Sequence, residues 1–257
     1  MEEMLYGGPA EALMRSNWPL ILTYLRVQAC ILAMPGFGET ALPGRVKIAI
    51  AMALTPILAE TAQASAPPWP ETSLGLFSAA LVELAVGFAA GILVRLMGFA
   101  INIAATAIAS TASLSQIIGA PNEASPHPIG NLFHLGGIAL LMALGMPVML
   151  VRLLADSLAL WPGGSPPGSD GLLIAVVAVI AGSFQLAMML SAPFILGGFL
   201  FQALSGVINR VMPALPVVFI GAPAAILLAL AALVVLTPII MSVWADAVLS
   251  LQLPGSP

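Results

Sequence analysis

The chain has 257 residues, of which 60% are hydrophobic and only 7% charged, and its mean hydropathy is +1.09. A soluble domain carries about 25% charged residues to wet its surface, so a water-soluble globular fold is excluded and a bilayer is the solvent that suits this composition. The net charge of −4, from 11 acids against 7 bases with no Lys/Arg cluster, leaves nucleic acid no electrostatic footprint, and a single cysteine, Cys30, excludes an intrachain disulfide or a thiolate metal cluster.

Met1-Glu2-Glu3-Met4 is acidic and lacks the basic region of a cleaved signal peptide, so targeting is expected to come from the internal apolar segments. The first of these covers residues 18–34 and is interrupted by Arg26 and Gln28. Pro35-Gly36-Phe37-Gly38 breaks it, and a polar step with Arg45 and Lys47 follows. A second run, 46–62, ends in a Pro-rich loop at 63–70 flanked by Glu60 and Glu71. Residues 74–101 form a longer run that holds Glu83 and Arg95. Residues 102–118 are rich in Ala, Ser and Thr instead of Leu and read as a separate segment, and 119–131, with three prolines, Glu123 and His127, reads as a loop.

Residues 132–161 suffice for one span and an interfacial turn, with Pro147 expected to kink or divide it. A flexible surface loop is expected at 162–171. The uncharged run 172–208 is too long for one span of about 20 residues, and Pro193 and Gly197-Gly198 are where it should bend or split. A polar, Pro-containing break at 209–216 precedes the last span, 217–247, with Pro238 near its end. The expected fold is all-α: a polytopic membrane protein of about six to seven helices, several broken by Pro or Gly into hairpin-like segments. Residues 1–257 read as one integral membrane domain, with a tail at 1–17, helical parts at 18–161 and 172–250 joined by the 162–171 loop, and a tail at 251–257. Arg45 and Lys47 favour the cytoplasm for the loop after the first helix, and the base-free segment 63–73 suits the opposite side. The N-terminus would then lie outside, with Arg15 as a mild contrary sign.

Few residues carry chemistry. Arg26 lies near the centre of the first run, where a charge costs about 2.5–3.5 kcal/mol on insertion scales. It reads either as a subunit contact or pathway residue, or as a sign that the helix sits shallower than its hydropathy suggests. Glu83, Gly87, Gly91 and Arg95 recur every four residues, and this places them on a slowly winding stripe of one helix. Gly87 and Gly91 make a small-xxx-small patch that admits a close neighbour, and helix packing is preferred over transport chemistry there. Glu83 and Arg95 are about 18 Å apart along a helix and do not pair with each other. Asn102, Thr106, Ser110, Ser113 and Gln116 share one uncharged polar face, which fits either the lining or plug of a polypeptide passage or tight Ser/Thr packing. Arg152 and Asp156 have the i,i+4 spacing of an interfacial ion pair. His134 has no partner at metal spacing. Enzyme signatures are missing, and neither a catalytic site, a cofactor nor a metal is expected.

From Asn209-Arg210 through Pro213 to Val217-Val218-Phe219-Ile220-Gly221-Ala222-Pro223, the sequence resembles the flagellar biosynthetic protein FliR family. Near the N-terminus, Arg26, Pro35 and Ala41-Leu42-Pro43-Gly44-Arg45-Val46-Lys47 resemble that family's arginine-bearing first helix, proline break and I-P-x-R-x-[KR] step. The likeness runs through nearly the whole chain in order and spacing. One departure stands out: a G-E-x-x-G-x-Q-M-G-like stretch is replaced here by Ala104-Ala105-Thr106 and Ser110-Thr111-Ala112.

The resemblance implies a subunit of the flagellar type III export gate in the bacterial inner membrane and flagellar basal body. It would assemble with FliP-like and FliQ-like subunits beside an FlhB-like one, in contact with lipid, and unfolded flagellar proteins would pass through. Arg26, Pro43, Arg45, Glu83, Gly87, Gly91, Arg95, Asn209, Arg210, Pro213, Gly221 and Pro223 are expected to serve helix packing and assembly. The alternatives are the homologous subunit of a virulence injectisome and a small secondary transporter, the latter disfavoured by the missing inverted repeat and the shortage of intramembrane carboxylates.

Overall fold

The computed structural model describes residues 9–63, 67–111, 128–165, 169–212 and 217–253. Among the described residues there are eight helices and no strand. In chain order they are α1 (Pro9–Ser16), α2 (Trp18–Ala33), α3 (Gly44–Gln63), α4 (Ser73–Thr111), α5 (Pro128–Leu144), α6 (Met146–Leu160), α7 (Ser169–Val211) and α8 (Val217–Leu249). The continuous apolar runs dictate this result, because backbone polar groups removed from water must be satisfied within their own segment.

Breakers act where backbone geometry leaves no choice. Pro19 sits in the first turn of α2, where its missing N–H is not needed. The helix ends because Met34 turns extended (ψ 138°) and Gly36 adopts φ +79°, a left-handed conformation that glycine takes without strain. Between α5 and α6 the break falls at Gly145, with φ +110°, and Pro147 occupies the first turn of α6. The proline expected to divide this run therefore starts a helix, and the preceding glycine makes the turn. Gly145→Ala should cost about 1–2 kcal/mol through left-handed strain alone, seen as a lower unfolding midpoint in detergent, since no neighbouring atom crowds that position.

Three expectations about segments are corrected. Residues 74–101 and the start of the Ala/Ser/Thr segment form the single unbroken helix α4, because no glycine or proline interrupts them at Asn102. The run holding Pro193 and Gly197-Gly198 does not split: α7 continues through all three. Neighbouring helices and side chains can satisfy the carbonyl that a proline frees in an apolar helix. Asn209 and Arg210 belong to the last turn of α7 and are not part of a break. The N-terminal tail also contains α1, with an exposed i,i+4 ion pair between Arg15 and Glu11 at 3.1 Å.

By length and composition α4, α7 and α8 can each cross a membrane, and the α5–α6 pair broken at Gly145 would make a fourth crossing. The chain is a multi-pass membrane protein. With 16 residues, α2 is only about 24 Å long, shorter than a hydrocarbon core of about 30 Å. The described chain divides into two compact units. One comprises residues up to Arg95 together with Gly145–Val179 and the segment from Ser250 onward, and the other comprises Leu96–Leu144 and Ile180–Leu249. In the first, α2 packs on α3 and α3 on α6, and Val27, Cys30, Met34, Leu58, Leu150 and Leu154 are buried. In the second, α5 packs on α8, and the absence of a side chain at Gly137 leaves room for the Trp244 ring.

Candidate functional site

The first unit is built around a charge pair closed off from solvent. Arg26 and Glu83 side chains are both 0% exposed. Arg26 Nε donates to Glu83 Oε2 at 2.7 Å and Nη2 to Oε1 at 3.0 Å, a bidentate fork. The third guanidinium nitrogen, Nη1, donates to the Ser157 carbonyl in the last turn of α6 at 2.8 Å. Glu83 Oε1 also accepts the Gly164 N–H at 2.7 Å. Gly164 holds φ +72°, and its left-handed backbone aims that N–H at the carboxylate. One ion pair thus joins α2, α4, the end of α6 and the chain that follows it.

The α2–α4 seam continues upward from this pair. Gly87 lies so close to α2 that a Cβ there would collide with the Arg26 carbonyl, and at Gly91 it would stand 2.6 Å from the Cys30 carbonyl. At the far end Arg95 Nε donates to the Ala33 carbonyl at 2.6 Å and Nη2 lies 3.8 Å from Glu39 Oε1. Both arginines therefore meet carbonyls at helix C-termini, Arg26 that of α6 and Arg95 that of α2, where the partial negative charge favours a cation. Lys47 closes the turn between α2 and α3, donating from Nζ to the Gly38 carbonyl at 3.0 Å.

Glu83, Gly87, Gly91 and Arg95 are thus brought together along one seam against the Arg26 face of α2. Arg26 is thus a paired residue inside the chain. Pro43 and Arg45 are exposed at the start of α3. Asn209, Arg210 and Pro223 are exposed, and Gly221 is half-buried. Pro213, Ser113 and Gln116 lie outside the described residues, as does the side chain of Ser110. Thr106 is exposed and bonds back to the Asn102 carbonyl at 2.8 Å, while the Asn102 amide donates to His134 Nδ1 at 3.5 Å. No ion pair joins Arg152 to Asp156, although both are described and their spacing is right.

Sequence reading passed over Lys47, Ser157 and Gly164 as partners. For Gly164 a signal was present: a glycine pair three residues past a helix end invites a left-handed conformation. Of the 162–171 segment, Gly164 is tied to Glu83 and residues 169–171 belong to α7.

Residues 18–251 match the family described as "Bacterial export proteins, family 1". The chain is 30% identical over 228 residues to the flagellar biosynthetic protein FliR of Caulobacter vibrioides, covering 88% of this chain and 90% of that protein. The chain belongs to this family. Its likeness to FliR extends to the proteins of that name from Aquifex aeolicus, 26% identical over 226 residues with 86% of each chain covered, and from Escherichia coli, 25% identical over 230 residues with 87% and 84% covered. The resemblance first read from the Asn209–Pro223 motif and the Arg26–Lys47 step therefore holds across the chain. The family match takes in both residues of the buried Arg26–Glu83 pair.

Proposed function

We propose that this chain is a subunit of the flagellar type III protein export gate, seated in the inner membrane and basal body. It would form, with FliP-like and FliQ-like partners and beside an FlhB-like subunit, the passage for unfolded flagellar proteins. End-to-end membership in the export family carries this reading. Surface chemistry supports the multi-subunit part of it. The chain itself buries little of α7 and α8. Phe184, Met188, Phe199 and Leu204 of α7 and Leu227, Val234 and Val235 of α8 are all more than half exposed. Such faces need lipid or partner helices.

The rival reading as a secondary transporter requires an intramembrane carboxylate free to exchange an ion. Glu83 is fully buried and held by a guanidinium fork and a backbone N–H, which disfavours that role. In a test of the gate reading, the chain is expressed alone and with FliP- and FliQ-like partners, followed by size-exclusion in detergent. The expected outcome is heterogeneous, poorly recovered protein alone and a single large complex on co-expression; a monodisperse monomer from solo expression would count against the gate.

A further inference from the structure

We infer that the Arg26–Glu83 pair is a lock whose polarity is fixed by backbone groups, so that the cation on α2 and the carboxylate on α4 cannot be exchanged. The Ser157 carbonyl accepts the Trp161 N–H at 3.0 Å and Arg26 Nη1 at 2.8 Å, which fills both of its lone pairs. It belongs to the last turn of α6, where the helix presents partial negative charge. On the other side, the Gly164 N–H is directed at Glu83 Oε1 at 2.7 Å from a φ of +72°. Neither backbone group can change its role, since one only accepts and the other only donates.

Coulomb attraction alone is symmetric, and an isolated ion pair would tolerate inversion. This one does not. R26E would bring a carboxylate against the Ser157 carbonyl, acceptor against acceptor, and E83R would bring a guanidinium against the Gly164 N–H, donor against donor. Both side chains are 0% exposed, so water cannot relieve either mismatch cheaply. Gly87 and Gly91 set how closely α2 and α4 approach, and the segment from Ser157 to Gly164 sets which helix must carry which charge. Arg26 and Glu83 are thus positioning residues that fix the partner and register of α2.

A reporter is built in. Cys30 is the only cysteine, is 0% exposed, and lies one turn past Arg26 with its carbonyl against Gly91. Labelling of the full-length protein by a membrane-permeant maleimide, in native membranes with its partners present, reads separation of α2 from α4. This readout does not require export, so it is independent of the flagellar assignment. R26M/E83Q removes both charges, yet the amide oxygen at position 83 can still accept the Gly164 N–H. That double variant should label within about threefold of the wild type, whereas R26E/E83R should label about tenfold faster or more. If inversion labels as slowly as the wild type, or no faster than R26M/E83Q, the polarity lock is overturned. Should R26E/E83R fail to accumulate while R26M/E83Q does, the ranking stands on membrane levels; failure of both to accumulate overturns it, because polarity would then not be what separates them.

Discussion

Substituting Arg26 by leucine while Glu83 remains should abolish motility and reduce the membrane level of the protein at least tenfold. Both side chains are fully buried, so the single change leaves a carboxylate with no counter-charge and no access to water. Breaking a buried pair in this way costs about 3–5 kcal/mol, a large share of the roughly 5–15 kcal/mol by which a folded domain outlasts its unfolded chain. E83L should be equally severe, for it also releases the Gly164 N–H. Immunoblots of membrane fractions and swimming zones provide the measurement. Wild-type levels and motility in either single variant would remove the pair from any account of how this unit is held.

The second large effect is expected from a single methyl group. At Gly87 an added Cβ would collide with the Arg26 carbonyl oxygen and stand 2.9 Å from its carbon and 3.0 Å from its Cα, all backbone atoms that cannot swing aside. At Gly91 the obstacles are the Cys30 carbonyl at 2.6 Å and the Ala33 Cβ at 2.7 Å. Relief requires α2 to move as a body, which pulls the Arg26 fork off Glu83. Overpacking of this kind costs about 1–3 kcal/mol, and loss of the fork adds to it. Gly44→Ala provides the control, because nothing lies within 4 Å of the position a Cβ would take. Unfolding midpoints of the purified complex should fall for Gly87→Ala and Gly91→Ala and hold for Gly44→Ala. Equal midpoints across the three would mean that the α2–α4 seam does not limit stability.

What could be read in advance follows from how local each signal is. The stripe Glu83, Gly87, Gly91, Arg95 was visible because a spacing of four needs only the geometry of one helix. The partner of Glu83 was not visible, because Arg26 is separated from it by 57 residues and Ser157 from Arg26 by 131. Nothing in the periodicity of either segment points across such a gap. Breakers do not act in an apolar medium as they do in water. Pro193 and the Gly197-Gly198 pair would end many soluble helices, but α7 passes through them because a broken helix in an apolar medium exposes unpaired backbone groups. Conversely, Gly145 turned the chain where Pro147 was expected to do so, because a left-handed φ reverses a helix more completely than a proline, which can head the next one.

The separation between the partners also sets an order of events at the ribosome. Arg26 is synthesised 57 residues before Glu83 and 131 before Ser157. At roughly 5–20 residues per second, the first wait lasts on the order of 3–11 seconds and the second longer still. During that interval α2 is a short helix carrying a naked cation, with an insertion cost of about 2.5–3.5 kcal/mol at a bilayer centre. It is therefore poorly suited to enter the membrane by itself and should linger at the interface or with the insertion machinery until α4 emerges and neutralises it. Nascent chains stalled before residue 83 should accordingly be extractable from membranes at alkaline pH, and those stalled well beyond it should resist extraction.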